Sequence, residues 1–239
     1  MWRRYRALVP VDAVIFDFYG TLSVSATAAA RRAGASRIAT ALGIPAEALH
    51  EAIAATFTER ATGACGDLEQ TMRWLADRCG ASPTSDQVIE ACAIRSETEN
   101  LYARALRPDA ELTLRALCER GVKVGLLSDS THELPEIWPS LPIARYVEAT
   151  VFSVVAGVRK PDPRLYEAVT AKLRVHPAAC LYVGDGGSGE LTGDERAGMT
   201  AFRLHAADAA EAIIYDADAA WTGPTISSLT DVLAFIPYG

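Results

Sequence analysis

The segment Val11-Asp-Ala-Val-Ile-Phe-Asp17-Phe-Tyr19-Gly20-Thr21-Leu22 opens as a strand and closes as a turn. Val14, Ile15 and Phe16 form a short apolar run, the pattern of a strand buried on both faces. The run ends in an acid, Asp17, and Tyr-Gly-Thr then breaks the pattern. An acid at the carboxyl end of a buried strand, followed by a glycine turn, is where open α/β sheets place their chemistry. Taken alone, the same residues read equally well as a capped strand end.

Outward from Leu22 the pattern changes to helix and stays there. Residues 26–42 are rich in Ala and Arg and stop at Gly43, and Pro45 sits just inside a second helix expected to run to about Thr62. Asp67 reads as the N-cap of a helix carrying Leu68, Met72, Trp74 and Leu75, and Pro83, Thr84 and Ser85 open another that runs towards Tyr102 and Leu106. Residues 24–105 thus form an all-helical insert, far longer than the single helix a parallel crossover needs.

From Pro108 strands and helices alternate. A helix is expected over 109–120, then a strand over 122–127 that ends in Ser128-Asp129 and a short helical stretch near 132–138. A third apolar run covers 146–155, a loop carries Arg159-Lys160-Pro161-Asp162-Pro163, and a helix runs to about Leu173. Cys180-Leu-Tyr-Val183 leads into Gly184-Asp185, a helix starts near Glu190, and a fifth strand covers 200–204. A short strand near Ile213 and Ile214 and a last helix capped by Ser227 or Ser228 complete the expectation. This predicts an α/β fold, a parallel sheet with helices on both faces. Its core domain comprises residues 1–23 and 106–239, and residues 24–105 form a helical domain inserted after the first strand.

At 239 residues the chain can bury a substantial core. Half of its residues are hydrophobic, yet no window is apolar enough to span a bilayer, so no membrane partner is expected. Met1-Trp-Arg-Arg-Tyr-Arg6 is basic but lacks the apolar stretch of a signal peptide, and reads as a short leader covering the core edge or fraying. The formal net charge of −7 argues against nucleic acid as a partner. Five cysteines, none in a Cys-x-x-Cys pair, suit reduced thiols in a cytoplasmic protein.

In a parallel sheet the carboxyl ends of the strands share one rim. Asp17, Ser128, Lys160 and Asp185 would converge there. A carboxylate, a hydroxyl and an ammonium beside a second acidic cluster suit attack on an anionic group. Asp17 can act as a nucleophile. Asp17, Asp185 and Glu190 could hold Mg²⁺, a hard cation that takes oxygen ligands. Ser128 and Lys160 would hold the transferring oxygens.

These motifs together resemble the haloacid dehalogenase superfamily of aspartate-nucleophile hydrolases. Asp17-Phe-Tyr-Gly-Thr21-Leu resembles its first motif, and Ser128 after Val-Gly-Leu-Leu its second. Lys160 in Arg-Lys-Pro-Asp-Pro resembles the third, and Gly184-Asp185 with Glu190 the fourth. The resemblance implies a Rossmann-like three-layer core, a helical cap over the site, a covalent intermediate on Asp17 and usually Mg²⁺. It further implies a small anionic substrate contacted by Thr21, Ser128, Asp129 and Lys160. The metal would lie on Asp17, Asp185, Glu190 and the backbone carbonyl of Tyr19. Oligomeric state is not legible, and a homodimer is compatible with the sequence.

One departure matters. Two residues after the nucleophile, the superfamily's phosphatases usually carry a second Asp as general acid/base; here it is Tyr19. A phenol, with a reference pKa of ~10, is a poor acid at neutral pH. Tyr at this position resembles the 2-haloacid dehalogenases, whose halide leaves without a proton. Those enzymes do without Mg²⁺, however, and lack the Gly-Asp start of the fourth motif. The insert contains no lysine, which sets aside phosphonate cleavage through a cap-lysine Schiff base.

Three functions therefore remain open: a Mg²⁺-dependent phosphatase, a metal-independent 2-haloacid dehalogenase, and a phosphate-binding regulatory protein that has lost turnover. Arg31, Arg32 and Arg37 follow the first motif soonest, and each is read as a solvated helix face or as a fork for a substrate anion. Met72, Trp74 and Phe57 are expected in the insert's core. Asp194 and Glu195 are expected on a solvated helix face, and His132 at a surface helix start.

Overall fold

A computed structural model describes residues 10–208, 216–219 and 221–236. The chain opens with β1 (Ala13–Phe16). It then runs through α1 (Ala28–Leu42), α2 (Ala46–Ala55), α3 (Phe57–Ala61), α4 (Leu68–Arg78) and α5 (Ser85–Arg104) without a strand. It resumes with α6 (Ala110–Glu119), β2 (Lys123–Ser128), α7 (Glu133–Ile137), β3 (Ala149–Phe152), α8 (Ser153–Ala156) and α9 (Pro163–Leu173). The last elements are β4 (Cys180–Gly184), α10 (Glu190–Arg196), β5 (Thr200–Leu204), β6 (Thr225–Ile226) and a 3₁₀ helix, Leu229–Phe235.

The six strands form one parallel sheet in the order β3-β2-β1-β4-β5-β6. In β1, Val14 lies between Val124 and Leu181, and Phe16 between Leu126 and Val183. The two-residue period of a strand sorts these side chains. Val14, Phe16, Val124, Leu126, Leu181 and Val183 face one way and pack with Leu114 and Leu117 of α6. Ile15, Leu127 and Tyr182 face the other way and pack with Leu165, Val169 and Leu173 of α9. Both faces are buried, which is why β1 reads as a continuous apolar run. The result is the three-layer, Rossmann-like α/β core expected from the sequence, with the strand order reversing at β1.

The helices of the insert bury a separate cluster, in which Ile38, Leu42, Leu49, Met72, Leu75 and Val88 meet. Met72 belongs to it and Trp74 packs against it, as expected. Asp67 and Thr84 each cap their helix in a capping box, with Gln70 and Gln87 bonding back. The chain enters and leaves the insert side by side: Arg107 N–H donates to the Leu22 carbonyl at 2.9 Å and Val24 N–H to that of Ala105 at 2.8 Å.

Four expectations shift. The helix expected from Pro45 to Thr62 is two, α2 and α3. The break falls at Thr56, whose backbone leaves the helical region and whose hydroxyl donates to the Ala52 carbonyl at 2.6 Å. Pro45 is the N-cap of α2 rather than its first residue. The apolar run over 146–155 is strand only at β3, and Ser153 starts α8. A sixth strand forms at Thr225–Ile226, with Ser228 capping the 3₁₀ helix after it. Ile213 and Ile214, like the basic leader, lie outside the described residues.

Gly125 shows how close α9 packs on β2: an added Cβ would stand 2.9 Å from Leu173 Cδ1 and 3.1 Å from Ile15 Cγ1. Gly125→Ala is therefore expected to destabilise by about 1–3 kcal/mol through overpacking. At roughly 2–4 °C per kcal/mol for a chain of this size, thermal melting should register the fall. An unchanged melting temperature would contradict the tight packing.

Candidate active site

The reversal of strand order places β1 between β2 and β4, and the three strands deliver their terminal residues to one rim. Asp17 follows β1, Ser128 ends β2 and Asp185 follows β4. Lys160 comes from the loop ahead of α9. Its ammonium is buried and donates to Asp17 Oδ1 at 2.7 Å, Glu190 Oε2 at 2.5 Å and the Tyr182 hydroxyl at 3.2 Å. Glu190 is fully buried; its Oε1 accepts the Gly186 N–H at 2.8 Å, and its Oε2 also accepts from the Tyr182 hydroxyl at 2.7 Å. Asp129 Oδ1 accepts the backbone N–H of Lys160 at 3.0 Å and so fixes the loop that carries the lysine.

Two glycines allow these carboxylates to come together. A Cβ at Gly184 would collide with Glu190 Oε1, and one at Gly20 with Asp185 Oδ2. Gly20 also holds a φ of +82°, which disfavours any other residue.

Burial sets the protonation of the cluster. Asp17 is pushed well above the usual carboxylate range by desolvation, and Glu190 and Asp185 add to this, while Lys160 offsets only part. Asp185 rises to about 6, first through burial and then through Glu190. For Lys160, burial acts downward, but Asp17 and Glu190 outweigh it and hold the ammonium charged. Asp17, Asp185 and Glu190 each offer an oxygen within 4.8 Å of the others. Three carboxylates facing one ammonium leave a formal excess of two negative charges, the deficit a divalent cation would fill. The donor set is all oxygen, which suits Mg²⁺. Both Glu190 oxygens already have partners, so the carboxylates best placed to ligate are Asp17 and Asp185, with Glu190 orienting Lys160.

Asp17, Tyr19, Asp129, Lys160, Asp185 and Glu190 line one cavity of about 130 Å³, roofed by residues of the insert. Thr21 and Ser128 do not line it. Both are fully buried, and among the described residues their hydroxyls have no hydrogen-bond partner. Ser130 and Thr131 line the wall after β2 instead.

The Tyr19 phenol is committed elsewhere. It donates to Glu99 Oε2 of α5 at 3.1 Å, Glu99 Oε1 pairs with Arg95 at 3.0 Å, and Arg95 pairs with Glu133 at 2.6 Å. Burial, and then Glu99, pushes the phenol well above its usual range. It is a neutral strut between the first motif and the insert.

Several residues of the site carry no sequence signal. Arg107 donates to the Gly20 and Thr21 carbonyls at 2.8 and 2.9 Å and pairs with Asp208, pinning the turn after Asp17. Arg159 bonds Asp129, Ser188 and Thr58 and lies over the Phe57 ring. Phe57 lines the cavity rather than the insert's core cluster. The expectation for Asp194 is overturned: it is fully buried, its carboxylate oxygens have no hydrogen-bond partner among the described residues, and burial raises its pKa well above the usual range. Glu195 is exposed as expected, because α10 turns only one face to the core. His132 is half-buried beside Glu133, not a surface residue. Arg32 and Arg37 pair with Glu47 and Glu97 on the surface, whereas Arg31 lines the cavity.

Residues 11–198 match the family model of haloacid dehalogenase-like hydrolases. The chain belongs to this family. It is therefore a hydrolase of the haloacid dehalogenase superfamily. It is 28% identical over 198 residues to the glyceraldehyde 3-phosphate phosphatase of Methanopyrus kandleri, covering 81% of this chain and 84% of that protein. It is 24% identical over 140 residues to haloacid dehalogenase-like hydrolase domain-containing protein 3 of Mus musculus, covering 59% of this chain and about half of that protein, 53%. The fold is also that of the 2-haloacid dehalogenase from Pseudomonas syringae pv. Tomato, with a TM-score of 0.66 at 20% identity over 94% of this chain and 97% of that one. Among the described residues no helix is long and apolar enough to cross a membrane.

The Asp185 shift gives a testable stability profile in metal-free protein. Its folded pKa of about 6 exceeds the ordinary 3.8, so ionisation disfavours the folded state. The contribution is fully present below the ordinary value and is lost as pH rises through about 6. Asp185→Asn should therefore raise the melting temperature at pH 8 by several degrees, on the order of 1–2 kcal/mol, relative to any change at pH 4. A pH-independent difference would show that Asp185 is not strained by its neighbours.

Proposed function

We propose that this protein is a Mg²⁺-dependent phosphatase acting on a small phosphorylated metabolite, with Asp17 as nucleophile. The observation that carries this reading is the three-carboxylate cluster of Asp17, Asp185 and Glu190 around one ammonium. A dehalogenase expelling halide has no need of that excess negative charge. Bound Mg²⁺ would screen the carboxylate from the phosphoryl group it attacks and draw Asp17 and Asp185 into their ionised forms.

The chain's own residues then divide the work. Lys160 holds Asp17 Oδ1 and leaves Oδ2 free to attack. In the first half-reaction Oδ2 bonds phosphorus, the bond to the leaving oxygen breaks, and that oxygen departs with the electron pair. In the second, a water oxygen bonds phosphorus, the bond to Asp17 breaks, and both protons of the water leave on the phosphate. Tyr19, at the position of the usual acid, does not serve the departing oxygen, because its phenol is bound to Glu99 and held neutral. Such a site favours leaving groups that depart unprotonated, such as acyl phosphates.

Phosphate release from acetyl phosphate and from an alkyl phosphate, with and without chelator, tests the reading. Hydrolysis should require Mg²⁺, vanish in Asp17→Asn, and favour acetyl phosphate; activity that survives the chelator or the substitution would overturn it. The dehalogenase reading is favoured by Tyr19, and halide release from 2-chloropropionate without metal would establish it instead. Tyr19→Phe distinguishes a strut from an acid. It should lower the melting temperature by a few degrees, through one lost hydrogen bond to a charged group worth ~1.5–3 kcal/mol. It should leave kcat well short of the ~10²–10⁴-fold loss that follows removal of an acid/base.

A further inference from the structure

We infer that the cavity takes substrates with two anionic ends, and that Arg31 of α1 holds the end remote from Asp17. The inference rests on the phosphatase reading above and names its substrate class.

The charge of the cavity is divided. Its floor is acidic, with Asp17, Asp185 and Glu190 facing one lysine. Its roof is basic, because Arg31, Arg60 and Arg95 of the insert all line it. On the roof the sole carboxylate among the described lining residues is Glu99, and it is already engaged by Tyr19 and Arg95. Arg60 is buried against the Thr56 hydroxyl and the Ile53 carbonyl.

Elsewhere in the insert the arginines have partners. Arg32 pairs with Glu47, Arg37 with Glu97 and Arg73 with Glu69, while Arg78 lies over the Trp74 ring. Arg31 departs from this pattern. Its Nε donates to the Ala26 carbonyl at 3.2 Å, and among the described residues no carboxylate pairs with it. It is half-buried at the wall of the cavity, beside Tyr102 of α5. A guanidinium partly withdrawn from water, with its fork unpaired and a phenol nearby, is a receptor for a planar or tetrahedral anion.

Size ties the two ends to one molecule. The cavity measures about 130 Å³, and one of ~150 Å³ holds benzene. The phosphoryl group and the second anion are thus separated by only a short linker. Phosphorylated short-chain acids and small bisphosphates meet this description, and phosphate esters of neutral alcohols do not.

The test uses the full chain with Mg²⁺ and two probes, 2-phosphoglycolate and ethyl phosphate, which differ in the remote carboxylate. Dissociation constants are measured calorimetrically on the Asp17→Asn protein, and hydrolysis on protein with Asp17 intact. 2-Phosphoglycolate should bind at least ~10-fold more tightly than ethyl phosphate, the scale of one charge-assisted contact. Adding Arg31→Ala should bring the two within about twofold by weakening 2-phosphoglycolate alone, and Arg31→Lys should keep part of the difference. Arg32→Ala, at the surface pair with Glu47, should leave the ratio unchanged.

Equal binding of the two probes, or a preference that survives Arg31→Ala, overturns the assignment, and the phosphatase reading then stands if both are hydrolysed. An Arg31-dependent preference with no hydrolysis of either probe, or of acetyl phosphate, overturns the phosphatase reading and keeps the two-ended cavity. Binding of neither probe overturns both.

Discussion

The buried ammonium of Lys160 is the interaction on which the site depends. Its three hydrogen bonds join Asp17 at the end of β1, Tyr182 within β4 and Glu190 at the start of α10. Each of these groups would be unfavourable alone: an ion taken out of water without a partner loses several kcal/mol of hydration. Together they compensate one another in part, and the remaining excess of negative charge is what makes the cluster receptive to a cation. Stability and chemistry are therefore opposed here. Burial first, and then the neighbouring Glu190 carboxylate, raise Asp185 to about 6.

The surrounding framework serves the same end. Asp129 fixes the backbone of Lys160, Arg107 grips the carbonyls just after Asp17, and the glycines at 20 and 184 clear the volume that Asp185 and Glu190 occupy. Tyr19, where an acid stands in related phosphatases, contributes to architecture instead. Its bond to Glu99 begins a chain of charged groups running through Arg95 to Glu133, so the roof of the cavity is electrostatically tied to its floor.

Much of this was legible in the sequence because it lies in local patterns. Three strand ends announce themselves as apolar runs that stop at Asp17, Ser128 and Gly184-Asp185, and the parallel sheet follows from the alternation with helices. Capping residues such as Asp67 and Thr84 mark helix starts to within one residue. What was not legible depends on contacts between distant segments. Arg107, Arg159 and Glu99 look like ordinary surface charges on helices and loops, and only folding brings them to the site from 86, 30 and 80 residues away from their partners Thr21, Asp129 and Tyr19. Asp194 misled for a related reason. An acid at a helical position beside Glu195 suggests solvent, yet the short α10 turns that position inward, where Glu190 already lies. The expected helix over 45–62 is interrupted at Thr56, where the backbone leaves the helical region, and no periodicity reveals that break.

The paired crossings between sheet and insert have a consequence for how the molecule is packed. Because Leu22 and Arg107 are hydrogen-bonded neighbours, the helical segment leaves and rejoins the core at adjacent points of the chain. Its interior cluster shares no residue with either cluster flanking the sheet. The insert is thereby packed around an interior of its own, separate from the sheet strands that carry Asp17 and from the loop that carries Lys160.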